Sequence, residues 1–146
     1  MTTGREIAAA QGPVGYTLAE ATRAHRAQLQ RRMERLGLYL GQELLVVDIH
    51  QHPGTTQAEL VQRIGIEQPT IAKAITRMER TGFVERAADP RDRRVTLLRL
   101  TEHGEAVVQA VLAAWAEVDR AATSGLTETE ARELTRLLNR IRDNLA

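Results

Sequence analysis

Phe83-Val84-Glu85-Arg86-Ala87-Ala88-Asp89-Pro90-Arg91-Asp92-Arg93-Arg94-Val95-Thr96-Leu97-Leu98-Arg99-Leu100-Thr101 is the stretch that decides how the rest of this chain is read. Val95, Leu97 and Arg99 alternate against Thr96, Leu98 and Leu100, a period of two that predicts a strand. The whole reads as a two-stranded ribbon whose tip carries Arg91, Arg93 and Arg94. Three cations at a tip are poor material for a core. They suit a DNA minor groove, whose negative potential deepens where the groove narrows. A long tip reaches that groove while a preceding helix occupies the major groove.

The residues before the ribbon supply such a helix. Thr56-Gln57-Ala58-Glu59 has the spacing of a capping box, with Thr56 starting a helix and Glu59 reaching back to it. Leu60, Val61 and Ile64 give that helix an inner face, and Gly65 suits the residue just past its end. A tight turn, Gly65-Ile66-Glu67, leads into Gln68-Pro69-Thr70, where proline is tolerated because first-turn amides lack intrahelical partners. The second helix runs from Gln68 to about Thr81 and stops at Gly82. Ile71, Ile75 and Met78 point inward at i, i+4 and i+7. The opposite side shows Gln68, Thr70, Lys73, Thr76, Arg77 and Arg80, so a helix-turn-helix precedes the ribbon.

Further out, Leu18, Ala21, His25, Leu29, Met33 and Leu36 predict a long amphipathic helix ending near Gly37. A short helix follows over about 42–51. Its Leu44, Leu45, Val46, Val47 and Ile49 leave little polar face, which predicts burial on most sides; His52-Pro53-Gly54 stops it. After the ribbon, Thr101 caps a helix over about 102–123, with Val107, Val111, Trp115, Val118 and Ala122 on one stripe. Gly125 breaks it. Thr127 to Glu130 forms another capping box, and Ala131, Leu134, Leu138, Ile141 and Leu145 align on the last helix. Residues 1–17, with Gly4, Gly12, Pro13 and Gly15, read as a flexible arm.

With 146 residues and 42% apolar content the chain is long enough for one domain with a real core. Its aromatics are limited to Tyr16, Tyr39, Phe83 and Trp115, which argues against stacking of extruded or single-stranded bases. The net charge of +1 hides an uneven distribution: residues 55–101 hold nine Lys or Arg against six Asp or Glu, while residues 102–146 hold five against eight. The basic excess therefore falls on the helix-turn-helix and ribbon. Absence of cysteine excludes a disulfide framework, a thiolate metal site and a thiol redox switch. No signal-peptide core or membrane span is legible, so a cytoplasmic protein is expected. No Gly-rich phosphate loop, paired-carboxylate motif or nucleophile constellation appears, and the chain does not read as an enzyme.

The order of elements, together with Gln57-Ala58-Glu59-Leu60, Ile66-Glu67-Gln68-Pro69-Thr70, Arg80-Thr81-Gly82-Phe83-Val84-Glu85-Arg86 and Asp89-Pro90-Arg91-Asp92-Arg93-Arg94 running to Leu100-Thr101, closely resembles the multiple antibiotic resistance regulator (MarR) family. The resemblance covers about residues 18–145. It implies a mainly α (α+β) fold in which residues 18–146 form one domain: a winged helix-turn-helix at 38–101, flanked by dimerisation helices at 18–37 and 102–146. It implies a homodimeric regulator of transcription, binding double-stranded DNA at a near-palindromic operator, acting as a repressor and responding to a small organic effector. No cofactor is expected.

On that resemblance Gln68, Thr70, Ala72 and Lys73 fall where the family touches bases and phosphates, with Arg77 near the backbone one turn later; Thr56 and Pro69 complete the set. In the wing, Arg94 matches the minor-groove arginine and Asp92 the carboxylate that orients it, while Arg91 and Arg93 reach groove or phosphate. Lysine at 73, where relatives often have arginine, offers a point charge rather than a bidentate fork. Trp115, Tyr39 and His25 are candidates for an effector pocket between the dimerisation helices and the winged domain, against the plainer reading of core or interface residues. His50, His52 and His103 raise the alternative of a metal-responsive regulator, but a site needs three or four donors and no metal is expected. A winged helix serving as an architectural or protein-interaction module is the other alternative.

Overall fold

A computed structural model describes residues 1–146. The elements follow in the order α1 (Gly4–Gln11), α2 (Pro13–Arg35), α3 (Gln42–Gln51), α4 (Gln57–Ile64), α5 (Gln68–Arg80), β1 (Val84–Ala88), β2 (Thr96–Leu100), α6 (Glu102–Ala122) and α7 (Glu128–Leu145). Threonine starts four of the seven helices: Thr3, Thr56, Thr101 and Thr127 each accept a hydrogen bond from the amide three residues on. A cap of this kind stabilises a helix by about 1 kcal/mol.

Within the first 17 residues, where glycines and a proline predict a flexible arm, residues 4–11 and 13–17 are helical. Thr3 and Glu6 form a reciprocal capping box that starts α1. Gly12 then ends α1, its amide donating to the Ala8 carbonyl at 3.0 Å, and Pro13 opens α2 with its φ already near the helical value. Glycine and proline here separate two helices rather than prevent them. α1 buries no side chain. Its exposed Arg5–Glu20 ion pair to α2, at 3.3 Å, contributes little.

The core lies where α3, α4, α5, the base of the ribbon and α6 meet. Ile71, Ile75 and Met78 of α5, Leu60 of α4, and Leu45, Val46 and Ile49 of α3 are fully enclosed, with Phe83, Val84 and Leu98 from the ribbon base. Val107, Val108, Val111 and Val118 close it from α6, and Leu29 and Met33 from α2. Burying each such aliphatic side chain is worth about 1.5–3 kcal/mol, so the winged domain has its own hydrophobic support.

α3 departs from its expected burial at its start. Gln42 and Glu43 are buried and Leu44 is 43% exposed. The reason is local: Gly41 takes the left-handed conformation (φ 101°) just before α3, and Gln42 and Glu43 do not extend outward from the helix start. Gln42 and Glu43 fold back instead, their side-chain oxygens accepting from the amides of Tyr39 at 2.9 Å and Gly41 at 2.6 Å.

β1 and β2 pair antiparallel, from Val84 opposite Leu100 to Ala88 opposite Thr96. The other edge of β2 is bridged by Thr55 opposite Leu98: the Leu98 amide donates to Thr55 O at 2.7 Å, and the Gly54 amide to Leu98 O at 2.9 Å. Buried Thr55 is fully satisfied, its hydroxyl donating to Glu59 Oε2 at 2.9 Å and accepting from Arg63 Nη2 at 2.8 Å. Arg63 also donates to both carboxylate oxygens of Asp48 on α3. Ribbon, α3 and α4 are thereby tied at one point.

α6 crosses the ribbon base at Gly104. A Cβ there would overlap the Phe83 carbonyl oxygen and lie 3.1 Å from Leu100 Cβ. That carbonyl already accepts from the Thr101 amide at 3.0 Å, and the Thr101 hydroxyl donates to the Gly82 carbonyl. At the far end, α7 buries no residue within its own chain, and Leu134, Leu137 and Leu138 are each about two-fifths exposed.

Candidate nucleic-acid interface

The two faces of α5 are separated by its 3.6-residue period. Ile71, Ile75 and Met78 anchor the inner face, while Gln68, Pro69, Thr70, Lys73, Thr76, Arg77 and Arg80 are exposed and Ala72 is half-buried. No side chain caps α5 and no acidic residue lies in its first turn. Pro69 has no amide hydrogen, the Thr70 amide donates to Glu67 O at 3.1 Å, and Glu67 itself stands at the N-cap, so the positive charge of this face comes from its side chains. Thr56, half-buried at the start of α4, caps its helix by accepting from the Glu59 amide. The Thr56 amide in turn holds the Glu59 carboxyl below the ordinary glutamate range, with Thr55 adding to the effect.

The wing tip is ordered by two aspartates. Asp89 Oδ1 accepts from the Arg91 amide at 2.8 Å, and the Val95 amide closes the turn on Asp92 O at 2.9 Å. Asp92 takes three bonds from one residue: the Arg94 amide at 3.1 Å and Nε at 3.0 Å on Oδ1, and Nη2 at 2.9 Å on Oδ2. A guanidinium has five N–H donors. Two are engaged by Asp92, which fixes the plane of the fork, and three remain outward on a side chain that is 90% exposed.

The Arg94 side chain first, and its amide second, hold the Asp92 carboxyl below the ordinary aspartate range; Arg94 is raised in return. A carboxylate with a depressed value keeps its favourable pairing above the ordinary range and loses it only as pH falls through the lowered value. The pair therefore stays charged from about pH 5 to 8. Carbon-detected NMR titration of Asp92 should give a midpoint below the ordinary one that returns upward in Arg94→Ala; an ordinary midpoint in the unmodified protein would mean that the fork is not formed in solution.

Among the cations of α5 and the ribbon, only Arg86 and Arg94 pair with a carboxylate, Arg86 with Glu79 at 2.9 Å. The Arg86 contact fastens β1 to α5. Lys73, Arg77, Arg80, Arg91, Arg93 and Arg99 form no ion pair. Arg77 lies against an aromatic face instead, its Cζ 4.4 Å from the centre of the Tyr39 ring. Sequence reasoning did not pair these two, because Tyr39 sits in the loop between α2 and α3, 38 residues before Arg77. The Asp48–Arg63–Thr55 tie was also missed, since no periodic signal links a loop residue to two helices.

The three effector-pocket candidates do not come together. Tyr39 lines a groove of about 620 Å³ between the loop before α3 and α5. His25 lies in an apolar groove of about 690 Å³ between α2 and α7. Trp115 borders a shallower hollow of about 390 Å³ formed by α3, α4 and α6. The three line separate hollows that have no residue in common. The histidines are also dispersed: His50 Nδ1 is 2.6 Å from Glu105, His52 Nδ1 is 3.0 Å from the Asp48 carbonyl oxygen, and the His103 ring is 4.4 Å from that of Phe83. No three His, Asp or Glu side chains gather as a metal site would require.

A helix-turn-helix whose second helix presents unpaired cations, followed by a ribbon with an oriented arginine at its tip and framed by long helices, defines the winged helix-turn-helix class. The MarR family model matches residues 38–96. An HTH-type transcriptional regulator of Bacillus subtilis (strain 168), YybA, is 32% identical over 110 residues, 75% of this chain and 73% of that protein. The chain belongs to the MarR family, a family of transcriptional regulators rather than enzymes. Among solved structures, a cysteine-to-serine mutant of MarR from E. coli, complexed with operator DNA, shares the fold with a TM-score of 0.79 over 92% of this chain and 96% of that one, at 22% identity. BpsR of Bordetella bronchiseptica, whose DNA binding is regulated by 6-hydroxynicotinic acid, aligns with a TM-score of 0.77 over 89% and 93%, at 25% identity. No helix of the chain is long and apolar enough to cross a membrane.

Proposed function

We propose that this chain is a cytoplasmic, homodimeric repressor that binds a near-palindromic double-stranded operator and is released by a small organic effector. The observation that carries this reading is the pairing of an α5 bearing unpaired Lys73 and Arg77 with a wing whose Arg94 fork is held by Asp92. Gln68, Pro69, Thr70, Ala72 and Lys73 are assigned to the major groove and its flanking phosphates, and Arg91, Arg93 and Arg94 to the minor groove and backbone. The effector is an aromatic acid, by the example of BpsR. A ligand acts only through its different affinities for two spacings of the reading heads.

A nuclease footprint on the DNA upstream of its own gene, repeated with a panel of aromatic acids that includes 6-hydroxynicotinic acid, tests both parts. Two protected half-sites about one helical turn apart are expected, with protection lost to at least one acid. Retardation of any DNA without a protected site would favour an architectural binder.

Dimerisation is supported by the stranded apolar surface of α7 and the groove it forms with α2, lined by Val14, Leu18, Leu134, Leu138 and Ile141. One small winged domain cannot cover these residues, and a second copy of the chain can. Sedimentation at micromolar concentration should show twice the chain mass, and Leu138→Arg should reduce it to one. A stable folded monomer of the unmodified chain would contradict the proposal.

A further inference from the structure

We infer that Tyr39 is a positioning residue for DNA binding: its ring holds the Arg77 guanidinium in the orientation that α5 presents to the DNA backbone. This rests on the proposed DNA-facing role of α5. The Arg77 Cζ lies 4.4 Å from the ring centre, within the roughly 6 Å over which a ring face attracts a cation. Tyr39 is 58% exposed, so its position is not explained by burial in the core.

The ring stands on a fixed platform. The Tyr39 amide donates to Gln42 Oε1 at 2.9 Å, and the Gln42 amide donates back to Tyr39 O at 3.0 Å. Gln42 is itself buried, at 5% exposure, so its amide group is immobilised from below. The next residues are constrained as well, Leu40 by packing against the core and Gly41 by its bond to Glu43. A loop between helices thus becomes a rigid shelf beside α5.

Charge decides why a ring and not an acid does this. At the wing tip Arg94 is oriented by Asp92, which places an anion 2.9 Å from the cation and opposes its attraction to phosphate. Tyr39 orients Arg77 without adding negative charge. The side chain is held, its full charge remains available for phosphate, and less rotamer freedom is lost on binding.

The test is a double-mutant cycle in affinity for the footprinted operator duplex, with variants Tyr39→Phe, Tyr39→Leu, Arg77→Ala and Tyr39→Leu/Arg77→Ala. Tyr39→Leu should weaken binding roughly three- to tenfold, in keeping with the cost of ordering one freed long side chain on binding. Tyr39→Phe should stay within about twofold, because the ring face is retained. In the Arg77→Ala background Tyr39→Leu should have no further effect, which a merely structural role for Tyr39 would not produce. The upfield ring-current shift of the Arg77 Hδ protons in the free protein should survive Tyr39→Phe and vanish in Tyr39→Leu. Equal loss in Tyr39→Phe and Tyr39→Leu would overturn the inference in favour of a hydroxyl contact. Additive effects of Tyr39→Leu and Arg77→Ala would overturn it in favour of independent roles. If the unmodified protein shows no preference for any duplex, the DNA-binding reading fails first; if it binds and the cycle shows no coupling, only the Tyr39 inference fails.

Discussion

Gly104→Ala is expected to destabilise the folded chain by about 3 kcal/mol or more, at or beyond the upper end of ordinary overpacking. Glycine inside a helix costs about 1 kcal/mol relative to alanine, so its presence in the first turn of α6 requires a reason. The reason is the Phe83 carbonyl oxygen, which occupies the space a Cβ would need. That oxygen cannot turn away without losing its bond from the Thr101 amide, and Leu100 blocks a sideways shift. α6 must therefore lift off the ribbon base, disturbing Phe83, Val84 and Val107 together. Thermal denaturation at fixed protein concentration should show a midpoint lower by about 10 °C. A change within about 0.5 kcal/mol, the range of an ordinary surface substitution, would show that α6 does not approach this closely.

Arg94→Ala is expected to weaken operator binding by on the order of 1–3 kcal/mol per half-site and to lower the salt slope by about one unit for each phosphate contact removed. The wing guanidinium senses the width and potential of the minor groove rather than a unique base pattern, so the loss should extend to related sequences. Asp92→Ala is the informative companion. It leaves the cation in place and removes only the three bonds that hold the fork. It should reduce preference for the operator over scrambled DNA while the salt slope holds or rises. Lys73→Ala, by contrast, should relax preference at a single base position. A salt titration of operator and scrambled duplex separates the three variants; unchanged operator affinity in Arg94→Ala at moderate salt would falsify the wing's entry into the groove.

Most of the fold was legible because it is written in short-range signals. The capping boxes at Thr56 and Thr127 and the i, i+4, i+7 spacing of Ile71, Ile75 and Met78 each specify a local geometry by themselves. Thr3-Gly4-Arg5-Glu6 carries the same capping-box spacing, yet Gly12 and Pro13 point to a loose arm, although both residues are also found at helix ends. The buried Gln42 and Glu43 were not legible, because their side chains turn back to the amides of Tyr39 and Gly41 in the preceding loop rather than following any apolar period. In the candidate site, the exposed face of α5 followed from its periodicity. The Asp92–Arg94 fork was implied only by the family resemblance. Tyr39 against Arg77, and Arg63 between Asp48 and Thr55, depend on how separate segments meet, which spacing along a chain does not encode.

The hydrogen bonds between Thr55 and Leu98 and the Arg86–Glu79 pair tie the base of the ribbon to the helix pair. Wing and α5 are two prongs that share one base, and such a fork measures phase. An extra base pair inserted within a half-site rotates one groove contact by about a tenth of a turn relative to the other. In the proposed dimer the same insertion between half-sites separates two forks rather than the prongs of one. Operators for this protein should therefore vary more in the distance between their halves than within either half.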